Sequence, residues 1–392
     1  MNRHFLRDIA DIQTGPFGSQ LHKEDYVDIG TPIVTVEHLG NRVFTEQNLP
    51  KVSDEDKARL SKYVLKEGDI VFSRVGSVDR CSYVDAAHDG WMFSGRCLRV
   101  RPNTEVDPLY LYYFFCLEDT KQFVRNIAVG ATMPSINTKL LGEVEVAYPS
   151  QTEQQKIVAL LSALDDKIEI NQKINDNLYE MVNAYYTSLF KENDCEMTTV
   201  GNYAERIYSG GTPMTSNAAY WNGTFGWFSS GETRNRFVIS TEKTITQAGI
   251  DNSSTKLATK YDIVMASAGQ GFTRGQTSML LIDTYVNQSV IVIKSERNIL
   301  PYLFWNLANR YDELRAISDS SSIRGSLTTK MIAAFEIPLA KAQSLQAFAD
   351  FAWSVIHQIE NNLLENERLT ALRDSLLPKL MSGEIDVSDI QL

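Results

Sequence analysis

Two stretches of the chain set their seam positions at alternating intervals of four and three. The first runs Ile157, Leu161, Leu164, Ile168, Asn171, Asn175, Leu178, Val182, Tyr185, Leu189. The second runs Phe348, Ala352, Val355, Ile359, Asn362, Asn366, Leu369, Arg373, Leu376, Leu380. This is the heptad spacing of a coiled coil. Pro149 precedes the first helix, and Pro378 and Gly383 bracket the end of the second. Each helix is expected to span roughly 35–40 residues, or roughly 55 Å at ~1.5 Å per residue.

Ahead of each helix the pattern changes to short β-branched runs and mixed helical stretches. Strands are predicted at 32–36, 69–73, 97–101, 144–147, 262–266 and 289–293, and helical stretches at 108–127 and 301–317. Polar loops are predicted at 209–219 and 249–254, the positions on a scaffold where recognition concentrates.

The two halves are copies. At an offset of 191, Ile168, Glu169, Asn171, Asn175 and Leu178 recur as Ile359, Glu360, Asn362, Asn366 and Leu369. The same offset lays 135–139 over 326–330; with small gaps 68–76 meets 261–269, and Thr14-Gly15 meets Ser209-Gly210. Four landmarks in the same order define an internal repeat. The expected architecture is α/β (α+β): two pseudo-repeated domains at 1–150 and 196–341, joined by long helices at 151–195 and 342–392 that pair as an antiparallel coiled coil.

Both copies put Asn at the same two seam positions. One reading leaves these positions exposed. The other pairs the two helices, Asn facing Asn, about a pseudo-two-fold axis, with Ile157, Leu161, Leu164, Ile168 and Leu178 against Phe348, Val355, Ile359 and Leu369. A buried Asn lowers stability and fixes register. Leucine at Asn171 and Asn362 is then expected to raise thermal stability and loosen register.

Hydrophobic residues make up 43% and charged residues 22%, as in folded globular proteins. The net charge of −11 argues against nucleic-acid binding until its distribution is seen: residues 151–195 and 342–392 carry −9 of it. The two domains are near neutral, which leaves room for a basic face. No apolar run approaches the ~20 residues of a membrane helix, and the first residues lack a signal-peptide core. The four cysteines, Cys81, Cys97, Cys116 and Cys195, form no CxxC pair. A reducing, cytoplasmic location with no membrane contact is expected.

A catalytic centre is not found. The five histidines show no metal-ligand spacing. The glycine-rich run 269–275 lacks the Lys-Ser/Thr of a phosphate loop and departs from the dinucleotide pattern, so it reads as a surface turn. There is no Gly-x-Ser-x-Gly elbow, and the Asn/Asp-Pro-Pro-aromatic tetrapeptide of amino-methylating enzymes is absent. Recognition chemistry is more evident. In 220–236, Trp221, Trp227 and Phe228 lie beside Ser229, Thr233, Arg234, Asn235 and Arg236. Arginine grips guanine and asparagine grips adenine in a bidentate manner, while Ser, Thr and Lys hold phosphates. The plainer reading of the two tryptophans is core packing. Further DNA-binding candidates are Ser267, Gln270, Arg274, Arg324 and Lys330 in the second half. In the first half they are Gln20, His22, Lys23, His38, Ser73, Arg74, Ser77, Arg80, Arg125 and Lys139.

Taken together, 210–213 (Gly-Gly-Thr-Pro), 227–232 (Trp-Phe-Ser-Ser-Gly-Glu), 153–158 (Glu-Gln-Gln-Lys-Ile-Val), 376–385 and 68–76 resemble the specificity subunit of type I restriction-modification enzymes over nearly the whole chain. The second helix departs from the pattern where Ala342 to Ala347 replace the Glu-Gln-Gln-Lys opening. The resemblance implies two target recognition domains, each reading half of a split, asymmetric DNA site, with the helix pair as the ruler between half-sites. It implies that two modification (methyltransferase) subunits dock on the helices and methylate adenine at N6, and that restriction (helicase-nuclease) subunits add translocation and cleavage. The chain itself would bind double-stranded DNA and no cofactor, with S-adenosylmethionine and ATP on the partners, and would be no enzyme alone. Two other classes stay open: a coiled-coil scaffold binding proteins, and a stand-alone DNA-modifying enzyme. A methylation-only system would look the same.

Overall fold

The computed structural model describes residues 1–16, 20–190, 196–269, 271–320 and 325–388; the side chains of Lys23 and Ser320 are not described. Two helices dominate the sequence, Gln151–Phe190 and Ala342–Ser382, of 40 and 41 residues. The second helix ends at Ser382, between Pro378 and Gly383, as expected. Pro378 lies inside the last turns, where a proline forfeits one intrahelical bond near an end already short of partners. The helix stops at Gly383, whose φ of +78° a residue with a Cβ would resist.

The chain forms two compact units, Met1–Ile168 with Arg368–Leu392, and Glu169–Glu367. Each long helix therefore contributes to both. In the first unit the central antiparallel sheet has the order Ala10–Thr14, Cys97–Pro102, Ile70–Ser73, Cys81–Tyr83. In the second the order is Ala204–Ser209, Val290–Ser295, Ile263–Ala266, Thr277–Leu280, with Phe237–Val238 added in parallel. These are the same strands of the repeat in the same order. Ile70–Ser73 and Ile263–Ala266 are buried at every position, so both sheet faces are covered. A smaller four-stranded sheet accompanies each, and a two-stranded ribbon (Asn2–Phe5 with Glu145–Tyr148; Met197–Thr199 with Glu336–Pro338) closes each domain. The six predicted strands are present, shifted by one or two residues.

The predicted helical stretches are each broken. Residues 108–127 form Pro108–Cys116 and Glu118–Ile127, separated at Leu117 with ψ 134°. Residues 301–317 fall in Leu300–Asn309 and Tyr311–Ser320, separated at Arg310. The first helix of each pair is buried nearly all round, from Tyr110 to Phe115 and from Leu300 to Leu307, whereas the second is amphipathic. The chain turns where it leaves the core, and apolar residues on both sides of the turn hide the break from periodicity. The loop predicted at 249–254 begins inside the short helix Gln247–Asp251, which Thr246 caps through Gly249 N at 3.2 Å.

The repeat extends to one strained turn. Gly68 and Tyr261 occupy equivalent positions with φ of +89° and +76°. Each precedes a buried aspartate on the central strand. Asp69 accepts from Lys66 N at 2.8 Å and pairs with both Arg101 donors at 2.6 and 2.7 Å. Asp262 accepts from Thr259 N at 2.7 Å and lies 3.3 Å from Lys294 Nζ. Tyr261 carries the strain that glycine avoids because its ring packs edge-on against Trp353 at 4.8 Å.

No seam position is exposed. Ile157, Leu161, Asn171, Phe348, Val355, Ile359, Asn362 and Asn366 are buried, and Leu164, Ile168, Asn175, Leu178 and Leu369 are half-buried. In the second unit Asn171 Nδ2 donates to Asn366 Oδ1 at 2.8 Å and Asn362 Nδ2 to Asn175 Oδ1 at 2.7 Å. The helices there run antiparallel. The helices also join the domain cores: seam residues Ile157 and Leu161 enter the first, and Val182 of the seam with Tyr179, Tyr186 and Phe190 beside it enters the second. Polar anchors add direction. Tyr113 Oη and Arg373 Nη1 both donate to Asp165 at 2.6 Å, and Asn306 Nδ2 donates to Tyr186 Oη at 2.8 Å. Among the described residues no helix is long and apolar enough to cross a membrane.

Candidate nucleic-acid interface

In each unit the loops gather at one end of the central sheet. In the first, Gly15 N donates to Cys97 O at 3.2 Å, Arg74 N to Arg96 O at 2.8 Å, Ile136 N to Arg74 O at 3.0 Å and Gly76 N to Pro134 O at 2.8 Å. The second repeats the joint: Ser267 N donates to Ser289 O at 2.8 Å and Leu327 N to Ser267 O at 2.8 Å. Glycine is required at its edge in both. A Cβ on Gly15 would stand 2.2 Å from Ser94 O, and one on Gly210 1.9 Å from Val286 O.

In the first unit this end collects Arg74, Ser77 and Arg80 on the hairpin after Ile70–Ser73, with the loop at 128–135 beside it. Ser77 is exposed; Arg74 donates to Gly95 O at 3.2 Å, and the Arg80 guanidinium to Leu39 O. Lys139 is exposed on the one-turn helix that Asn137 caps. Two candidates are corrected. Ser73 is buried and donates to Val75 O at 2.8 Å. His38 is 1% exposed; its Nδ1 accepts from Thr35 N at 3.0 Å, so Nε2 carries the hydrogen and donates to Gln47 O at 3.0 Å. It closes a capping box, Thr35 to His38, and has no edge left for a base. Arg125 is held by Asp79 at 2.5 Å and by Glu118, on the amphipathic helix. Gln20 accepts from Tyr63 Oη at 2.6 Å, and His22 is exposed, its N–H bonded to Asp25 at 2.6 Å. The Lys23 side chain is outside the described residues.

In the second unit Arg234, Asn235 and Arg236 are exposed. Arg234 pairs with Glu242, and Arg236 lies over the Tyr179 ring at 4.2 Å and 3.7 Å from Asp176, both on the long helix. Ser229 and Glu232 form the counterpart of the Thr35–His38 box: Glu232 Oε1 accepts from Ser229 N at 2.8 Å and from its hydroxyl at 3.0 Å. Thr233 and Ser267 are buried, a second pair of corrections; Thr233 donates to Ser230 O at 2.7 Å, and Ser267 supplies the backbone joint above. Arg274 binds Gly325 O and Asp319, tying the glycine-rich turn down. Lys330 is exposed on the helix that Thr328 caps, the equivalent of Lys139. Gln270 and Arg324 lie outside the described residues. Trp227 is buried, with half-buried Trp221 edge-on to it at 5.0 Å, which bears out core packing for the first.

Sequence reasoning missed Arg96 and Gln288, exposed at the sheet end, and two exposed apolar side chains there, Met133 and Phe272. Their signal is positional: each sits in a loop that the repeat brings to the joint. Among the described residues no group of three His, Cys, Asp or Glu side chains could hold a metal ion. Burial pushes the Cys97 thiol up to about 12.

The model of the type I restriction modification DNA specificity domain matches the chain twice, at residues 2–180 and 194–371. The type I restriction enzyme HindI specificity subunit of Haemophilus influenzae is 22% identical, covering 84% of this chain and 89% of its own length. The MjaIX specificity subunit of Methanocaldococcus jannaschii is 22% identical, with 98% and 93% covered. The crystal structure of a type I restriction-modification S subunit from M. genitalium superposes with a TM-score of 0.57 at 17% identity, over 97% of this chain and 95% of that one, and shares its fold.

Proposed function

The chain belongs to the type I restriction-modification DNA specificity family and has the role of its DNA-specificity subunit, and from that premise we propose how its parts divide the work. Each domain reads one half of a bipartite, asymmetric site through the loops at the end of its central sheet. The observation that carries this is the repeat itself. The two domains share strand order, backbone joint and the Lys139/Lys330 position, yet differ in nearly every side chain on the loops. Features held in common suit what both half-sites share, the phosphate backbone; features that differ suit bases.

The segments 151–195 and 342–392, which hold the long helices, carry −9 of the net charge of −11, and the helices serve as docking faces for two modification subunits, which bring S-adenosylmethionine and methylate adenine at N6. Restriction subunits with ATP complete the enzyme, and all of it works in the cytoplasm. This chain supplies no catalytic group and binds no cofactor. Co-purification with the neighbouring methyltransferase subunit, followed by transfer of labelled methyl groups to DNA, tests this. Transfer that requires both chains is expected; methyl transfer or S-adenosylmethionine binding by this chain alone would overturn it.

A further inference from the structure

Among the large apolar side chains exposed to solvent, several stand on loops at the end of the central sheets, Val129 and Met133 in the first domain and Met214 and Phe272 in the second. Met133 and Phe272 are the longest reaching on the hairpin and the glycine-rich turn. Phe272 is 77% exposed and Met133 is 61% exposed. Leaving either in water costs hydrophobic free energy that ordinary packing would recover. Hydrogen bonds tie the neighbouring backbone in both loops. The carbonyl of Phe272 accepts from Tyr311 Oη at 2.9 Å, and that of Gly271 from Arg315 Nη1 at 2.5 Å. Gly271 and Gly275 turn the chain on either side with φ of +63° and +90°. Met133 stands on a small hairpin in which Val129 and Ser135 exchange backbone bonds of 2.9 and 2.8 Å, with Gly130 at φ +105° and Pro134 bonded to Gly76. Both side chains thus stand beside backbone groups held by these hydrogen bonds.

Their surroundings suit a polyanion with an apolar interior. Phe272 lines a groove of about 410 Å³ together with Arg234, Arg236, Thr233 and Glu180, and DNA phosphates would compete with Glu242 and Asp176 for the two guanidinium groups. The hairpin of Met133 leads directly to Ile136, which bonds Arg74, and Arg74 bonds Arg96. Proteins that deform DNA insert Phe, Met, Leu, Ile or Pro between base steps and hold the flanking phosphates with cations.

Resting on the DNA-specificity reading, we infer that Met133 and Phe272 are wedges that enter a base step, each in the half-site of its own domain. Each would unstack that step, so that each half-site is selected partly by how readily it opens. The two wedges differ in kind: a phenyl ring stacks on the exposed base, and a thioether fills the gap.

The test is permanganate footprinting, which oxidises unstacked thymines. The full chain, assembled with its modification subunit, is bound to duplexes selected from a random library. Wild type is expected to show a reactive position in each half-site. Phe272→Ala should lose only that of the second domain and weaken binding on the order of tenfold, while Phe272→Trp retains both. Met133→Ala should lose only the other. Ile29→Ala, an exposed residue on the small-sheet turn at 89% exposure, should change nothing. Reactivity from a flipped adenine's partner would persist in every variant. Unchanged footprints in Phe272→Ala and Met133→Ala would overturn the wedges while leaving the DNA reading intact. A wild-type assembly that enriches no sequence would overturn both.

Discussion

Asn362 donates its Nδ2 to the Oδ1 of Asn175 over 2.7 Å, and Asn171 makes the matching bond to Asn366. In repeat terms Asn362 is the copy of Asn171 and Asn366 the copy of Asn175, so each pair joins one position to the copy of the other. That exchange is the mark of an antiparallel pseudo-two-fold pairing.

It also changes what mutation should do. Asn171 and Asn362 belong to different pairs, so replacing both with Leu removes both cross-helix Asn–Asn bonds and leaves two amides, Asn175 and Asn366, facing leucine. The expectation of higher stability is replaced by a loss of about 1–3 kcal/mol for each cross-helix hydrogen bond removed. Replacing a true pair, Asn175→Leu with Asn362→Leu, should recover most of that. A double-mutant cycle by thermal denaturation reads the coupling; additive effects would exclude the pairing.

The buried aspartates predict a contrast between domains. Arg101→Ala leaves Asp69, 1% exposed, without its bidentate partner and should cost about 3 kcal/mol. Lys294→Ala should cost less, since Lys294 lies farther from its aspartate, at 3.3 Å, and makes no bidentate pair with it. Denaturant titration of both variants measures this.

Asp262 adds a pH dependence. Burial raises its carboxyl above the usual value, with Thr259 and Lys294 opposing. The folded state then holds the proton more tightly than the unfolded chain. The wild type should lose stability relative to Asp262→Asn as pH rises from about 4 through the raised value. Urea unfolding of both between pH 4 and 7 tests the sign; a constant difference would contradict it.

The loop cations separate into two kinds. Lys139→Ala and Lys330→Ala should weaken DNA binding about equally for all sequences and each lower the salt slope by about 1. Asn235→Ala should alter the preferred bases of one half-site only. Arg236→Ala should also lower thermal stability, because that side chain rests on Tyr179 and faces Asp176. Selection from random duplexes at two salt concentrations distinguishes these outcomes.

The seam and the central strands were legible because their periodicity is local. The breaks at Leu117 and Arg310 were not, since burial of one helix and exposure of the next follow from where the sheet lies. His38 read as a DNA-binding candidate, although Thr-x-x-His repeats the geometry of the Ser-x-x-Glu box at 229–232; an imidazole acceptor in that box was the unread signal. Arg234 with Glu242, and Arg274 with Asp319 on the helix Tyr311–Ser320, are pairings that only the fold brings together. The sequence marked polar residues as candidates without showing which ones the protein itself already engages.

Methylation sequencing of DNA from cells that express this chain with the neighbouring methyltransferase subunit tests the central claim most directly. N6-methyladenine in one split, asymmetric motif, absent when this chain is omitted, is predicted. The same methylation without this chain, or none when both proteins are soluble and associated, would contradict its role as the specificity subunit.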